Sequence, residues 1–148
     1  MFKYALAIIT ALAVTTIDVP AFAGSASTMV GTWVNSDRNT RGITKIIITE
    51  SGNQYEIQAF GSCSPTDCDW GKSALTTYGN NVGDVTHKVG TALFNPSFSQ
   101  TIISVKQSGN QINLDGFTRF TDNSARQNYH NQHTLRKVFV RLAPINRK

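Results

Sequence analysis

From Met29 onward the apolar residues of this chain recur with a period of two, and small turn-forming clusters interrupt them at short intervals. Stretches such as Gln54-Tyr55-Glu56-Ile57-Gln58-Ala59 and Gln111-Ile112-Asn113-Leu114 alternate polar with apolar side chains. In an extended strand that alternation sends one set to each face. No stretch carries helical apolar spacing over three turns. Helix is confined, at most, to a short turn between Asp122 and Gln127. The pattern predicts strands over Met29–Asn35, Gly42–Glu50, Asn53–Phe60, Asp69–Tyr78, Val85–Phe94, Ser99–Gln107, Gln111–Phe120 and Tyr129–Val140.

The connections support the same reading. Ser51-Gly52-Asn53 and Ser108-Gly109-Asn110 each join two β-rich runs, and Gly and Asn tolerate the positive φ that tight hairpins need. Asn95-Pro96-Ser97 presets a turn through proline, and Asn80-Asn81-Val82-Gly83 supplies another. Ser-Gly-Asn-Gln occurs twice, at 51–54 and 108–111, but the flanks match too loosely for an internal repeat. Short strands joined by short turns form an antiparallel meander, and a meander of about eight strands loses its exposed edges by closing on itself. The expected fold is all-β: an antiparallel up-and-down barrel of about eight strands. A two-sheet sandwich is the alternative. Gly61, Gly71, Gly90 and Gly116 interrupt strand patterns, as the bends and bulges of a small barrel require.

Ahead of this region, residues 1–23 carry one positive charge at Lys3, an apolar run from Tyr4 to about Val14, then Pro20 and the small-x-small triplet Ala21-Phe22-Ala23. That order is a secretory signal peptide cleaved after Ala23. As a membrane anchor the run is too short for ~30 Å of hydrocarbon, and Asp18 interrupts its end. Residues 24–148 then form a single domain, with no later transmembrane segment. The leader holds one basic and one acidic residue, so its removal leaves the net charge at +5. The positive residues are scattered, with no basic run interleaved with aromatics. The charge therefore serves solubility and weak attraction to anionic surfaces, not nucleic-acid binding. The expected location is periplasmic or secreted.

Gly31-Thr32-Trp33-Val34-Asn35 opens the first strand. Gly-x-Trp at this place resembles the calycin superfamily: lipocalins, avidins and their small bacterial relatives. The resemblance implies that Trp33 closes one end of the barrel, with a basic residue of the last strand, Arg136 or Lys137, packed across the indole. Gly31, Trp33 and Arg136 are thereby expected to be structural. The last strand departs from an ordinary lipocalin in its Asn and His content. The pairing of GTWVN with PTDCDWG also resembles a set of small exported bacterial proteins.

The densest feature is Cys63-Ser64-Pro65-Thr66-Asp67-Cys68-Asp69-Trp70-Gly71. Its two cysteines are the only ones, and an exported pair reads as a disulfide that shapes one loop at a strand end. A redox pair prefers two intervening residues, not four. A zinc site would recruit His130 and His133, but i and i+3 point to opposite faces of a strand. Asp67 and Asp69 read as a turn cap and a solvated acid, because calcium needs six to eight oxygens. Trp70 either packs on the disulfide from inside or lies exposed as a recognition residue.

No catalytic motif appears. Glu50 and Glu56 flank one turn, there is no nucleophile elbow, and no phosphate-cradling loop precedes a helix. Residues 121–133 are polar and hold Asp122, Arg126, Tyr129, His130 and His133. They form either an exposed loop and edge or one wall of a pocket. No motif specifies a cofactor, and haem held by His87, His130 or His133 has no specific support. The expectation is a binding barrel that takes a small apolar or amphipathic ligand. Trp70, Asp67, Asp69, Tyr129, His130 and His133 are its candidate contacts. Two alternatives stay open: a module or inhibitor that meets an extracytoplasmic protein through the cysteine loop and Trp70, and an enzyme or metal or haem site built on His130 and His133.

Overall fold

The computed structural model describes residues 25–139. The proposed leader and Val140 lie outside the described residues. A 3-10 turn, Ser27–Met29, precedes nine strands: β1 Gly31–Asn35, β2 Ile43–Ser51, β3 Gln54–Gly61, β4 Cys68–Ala74, β5 Thr76–Tyr78, β6 Val89–Phe94, β7 Ser99–Ser108, β8 Gln111–Phe120 and β9 Tyr129–Lys137. They form one sheet in the order β4-β3-β2-β1-β9-β8-β7-β6-β5, every pair antiparallel. The fold is therefore all-β, and the sheet curls into a nearly closed barrel. No helix among the described residues is long and apolar enough to cross a membrane.

The ninth strand has a local cause. Asp69–Tyr78, expected as one strand, pairs first with β3 and then, past Leu75, with β6. At the switch the Leu75 N–H donates to Tyr55 O at 2.8 Å. Its buried side chain occupies the space above Gly90, where an added Cβ would come within 2.9 Å of Leu75 Cδ1. Nearby, Ser73 Oγ donates to Leu93 O at 2.8 Å and ties β4 to β6. One bent run thus bridges the two ends of the sheet. Two other boundaries differ from expectation. Residues 85–88 are not part of β6, because Ser25 bridges to Thr86 there and takes its hydrogen bonds. Residues 122–127 form no helix.

The inward sets of β1–β3 and β6–β9 make the core: Trp33, Ile43, Ile46, Ile48, Ile57, Ala59, Ala92, Ile103, Val105, Ile112, Leu114 and Leu135 are all buried, whereas β4 and β5 contribute no buried residue. These side chains fill the barrel from the end closed by the 3-10 turn. Trp33 is fully buried, and its Nε1 donates to Met29 O at 2.8 Å. The cation across the indole is Lys137, not Arg136: Lys137 Nζ lies 5.1 Å from the ring centroid and donates to Thr28 O at 2.9 Å. Arg136 is one position out of phase, exposed on the outer face beside Val34. Gly31 has φ +135°, a conformation that disfavours a side chain, and its missing Cβ leaves room for Lys137 Cε. The Gly-x-Trp pattern thus has a physical reason at both of its fixed positions.

Candidate functional site at the open mouth

Antiparallel topology sends four connections to the end opposite the plug: residues 36–42, 62–67, 95–98 and 121–128. Cys63 and Cys68 are disulfide-bonded, with Cα atoms 5.5 Å apart. The loop they close is exposed throughout. Asp67 does not cap its own turn. It accepts a 2.7 Å hydrogen bond from Thr44 Oγ1 of β2, which tethers the loop sideways to the barrel. Asp69 is bonded rather than freely solvated: Gln58 Nε2 and the Gly71 N–H each donate to it at 2.8 Å. Gly71 adopts φ +80° at the irregularity where β4 slips against β3.

Trp70 takes neither extreme of the expectation. It is 37% exposed. Its indole covers Gly61, where an added Cβ would fall 2.7 Å from Nε1, and it meets Phe94 edge-on with centroids 6.1 Å apart. One face therefore packs on the barrel rim while the other stays open. Across the mouth, Phe120 and Tyr129 form a second ring pair, also 6.1 Å apart. Between the pairs lies a recess of about 420 Å3. Ser99, Thr101 and Thr118 line it and are buried, with the Thr101 and Thr118 hydroxyls 2.9 Å apart. Asp69 is the one ionisable side chain in its lining apart from Tyr129.

The 121–128 connection is strapped beside the recess. Arg126 places its guanidinium 4.1 Å from the Phe120 centroid and 5.3 Å from that of Phe98, and pairs with Asp122. Hydrogen bonds from Ser124, and then the Arg126 guanidinium, hold the Asp122 carboxyl below its ordinary pKa. Asn128 Oδ1 accepts from the Phe120 N–H at 3.0 Å. Arg126 and Tyr129 belong to the polar stretch 121–133, whereas Phe94, Phe98 and Phe120 stand in no motif. Their signal was positional: all three lie at or beside strand ends that the topology brings to one rim.

The histidines separate. His130 is on the outer face, 2.8 Å from Asp115 Oδ1 and stacked on Phe117 with centroids 4.6 Å apart. Hydrogen bonds from Gln132 and then His130 lower the Asp115 pKa. His133 faces inward. Its Nδ1 is 3.2 Å from Asn35 Nδ2 and its Nε2 accepts from the Ile43 N–H at 3.4 Å, over Gly42. Burial pushes its pKa down. His87 sits apart, bonded to Thr77 Oγ1 at 2.8 Å. Strand alternation puts His130 and His133 on opposite faces and the cysteines are bonded to each other, so the four side chains of a Cys/His zinc arrangement are not brought together. Among the described residues no group of three His, Cys, Asp or Glu converges on one point. Glu50 accepts from Tyr55 OH at 2.8 Å, and Glu56 lies 3.6 Å from Lys72, so each is engaged by a partner other than a second carboxylate.

Comparison with protein families, curated proteins and solved structures finds no match to this chain.

Proposed function

We propose that this chain is an exported, calycin-like binding barrel, periplasmic or secreted, that takes a small apolar or amphipathic molecule at its mouth. The observation that carries this reading is the aromatic recess itself. Two ring pairs on different strands flank a space of about 420 Å3 above a floor of hydroxyls. Small-molecule sites combine apolar walls with a few fixed polar groups in this way. The lower half of the barrel is filled by its own side chains, so the ligand sits at the rim and not along the axis. Asp69, Trp70 and Tyr129 contact it in this reading; Asp67 and the disulfide shape the loop; His130 and His133 take no part.

The neutral amphipathic fluorophore N-phenyl-1-naphthylamine tests the site. The expected result is saturable one-to-one binding that quenches Trp70, with Trp33 as a buried reference. Thr118→Phe, which fills the recess, removes it. Absence of saturable binding, or binding that survives Thr118→Phe, overturns the proposal. A protein-binding role for the cysteine loop draws on one separate observation, the open face of Trp70 beside a wholly exposed loop. A protein partner captured equally well by wild type and Thr118→Phe would favour that role.

A further inference from the structure

The outer surface of β6–β9 carries a feature that the mouth does not use. Register places Leu93 opposite Ile102, Ile102 opposite Phe117, and Phe117 opposite His130. All four point outward, and Leu93, Ile102 and Phe117 are each about half exposed. They form a continuous row across four strands, along a shallow groove of about 540 Å3. On the other half of the barrel the outward ring of Phe60 is covered by Lys45, whose Nζ lies 3.9 Å from its centroid. Only Phe117 in this row has a cover of that kind, the stacked imidazole of His130. Contiguous apolar surface rimmed by polar groups marks an interaction site.

The rims of the row identify what fits it. On β8, Arg119 lies two residues past Phe117 and Asp115 two residues before it, both on the outer face. The two β8 residues that flank the row thus carry opposite charge. We propose that a second copy of this chain docks here, about a two-fold axis running along the row in the contact plane. Such an axis lays each residue on one side of the row against the residue equally far on the other side. Arg119 then meets the second copy's Asp115, and Asp115 meets the second copy's Arg119. Gln100 comes to Ser104 in the same way, while Leu93, Ile102 and Phe117 each meet their own counterparts. A protein of net charge +5 repels its own kind at a distance, so a local exchange of opposite charges is what makes self-docking favourable.

Sedimentation of the full chain over a wide concentration range tests this geometry. The wild type is expected to dimerise reversibly. Arg119→Asp and Asp115→Arg each turn both symmetry-related pairs into like charges, and each should weaken dimerisation at least about tenfold. The double variant D115R/R119D restores the pairs and the dimer. Mixing the two single variants gives a heterodimer that neither forms alone, because one chain then presents two arginines and the other two aspartates. Ile102→Lys abolishes association, and far-UV circular dichroism verifies that each variant is folded. A wild type that stays monomeric overturns the proposal, as does a double variant or a mixture that fails to associate. A monomer that instead floats with phosphatidylcholine vesicles through Ile102 assigns the row to a lipid surface and also overturns it.

Discussion

Replacing Cys63 and Cys68 by serine separates the two roles a disulfide can have. The cysteines are 5 positions apart. The chain-entropy relation for so short a loop gives about 2 kcal/mol of stabilisation, lost when the bridge is removed. In a barrel of this size that loss lowers the melting temperature by roughly 5–10 °C. The core around Trp33 should be untouched, because its residues are held by strand pairing at the end of the barrel opposite the bridge. The mouth should not survive unchanged: Trp70 follows Cys68 by two residues, and its seat over Gly61 is set by where β4 begins. The assay is urea denaturation with far-UV circular dichroism, run beside tryptophan emission. A stability loss near the calculated figure, an intact β-sheet spectrum and a red-shifted Trp70 component are expected. Loss of the sheet, or destabilisation beyond about 4 kcal/mol, would refute the argument by making the bridge a staple of the whole domain. No change in either stability or Trp70 emission would refute it from the other side, leaving the Thr44–Asp67 bond as sufficient to shape the loop.

Lys137→Met removes the cation over Trp33 and a hydrogen bond to Thr28 O, and should cost about 1–2 kcal/mol in urea denaturation. Arg136→Met, one residue away on the outer face, should stay within about 0.5 kcal/mol of wild type. Acid sensitivity should come in two windows. Burial holds His133 below its ordinary pKa, so the folded state resists its protonation. The stability it contributes is complete above about pH 6.5 and is lost as pH falls through the depressed folded value. Asp84, lowered by the backbone N–H groups of Asn80 and Thr86, and Asp115 and Asp122 contribute stability that is lost only below about pH 4. Thermal melts from pH 8 to pH 3 should show both steps, and His133→Gln should remove the upper one alone. Persistence of the upper step in that variant would refute the assignment.

Strand positions were legible because each has one wet and one dry face, so burial is written as alternation. Turn positions were legible because glycine, asparagine and proline have local reasons to be where they are. The strand break at Leu75 was not, since Asp69–Tyr78 keeps its extended pattern while its pairing partner changes, and partner choice is a property of the whole sheet. The choice between Arg136 and Lys137 needed a phase that strand alternation alone could supply once Trp33 was placed inward. For the mouth, Cys63, Cys68 and Trp70 announced themselves by chemistry. Phe94, Phe98 and Phe120 read as ordinary apolar residues, and only the gathering of strand ends at one rim gives them a shared purpose. The separation of His130 and His133 was legible too: three residues apart on one strand, they fall on opposite faces of the sheet.

The order of strands carries a consequence for how the chain assembles. β1–β4 form one meander of sequence neighbours and β5–β9 form another, joined covalently at Leu75. Every pairing within each meander is local. The exception is β1 with β9, where Trp33 lies opposite Lys137. Two hairpin arrays can therefore form quickly and independently, each still exposing an unpaired edge. The two arrays are joined by the pairing of β1 with β9, segments near opposite ends of the described chain and the strand pairing with the largest loop-closure entropy. That pairing is the weld between the arrays, and it is expected to set the folding rate. The indole that plugs the finished barrel and the lysine that covers it belong to that weld, so substitutions there should slow or weaken closure of the ring while leaving each array free to begin.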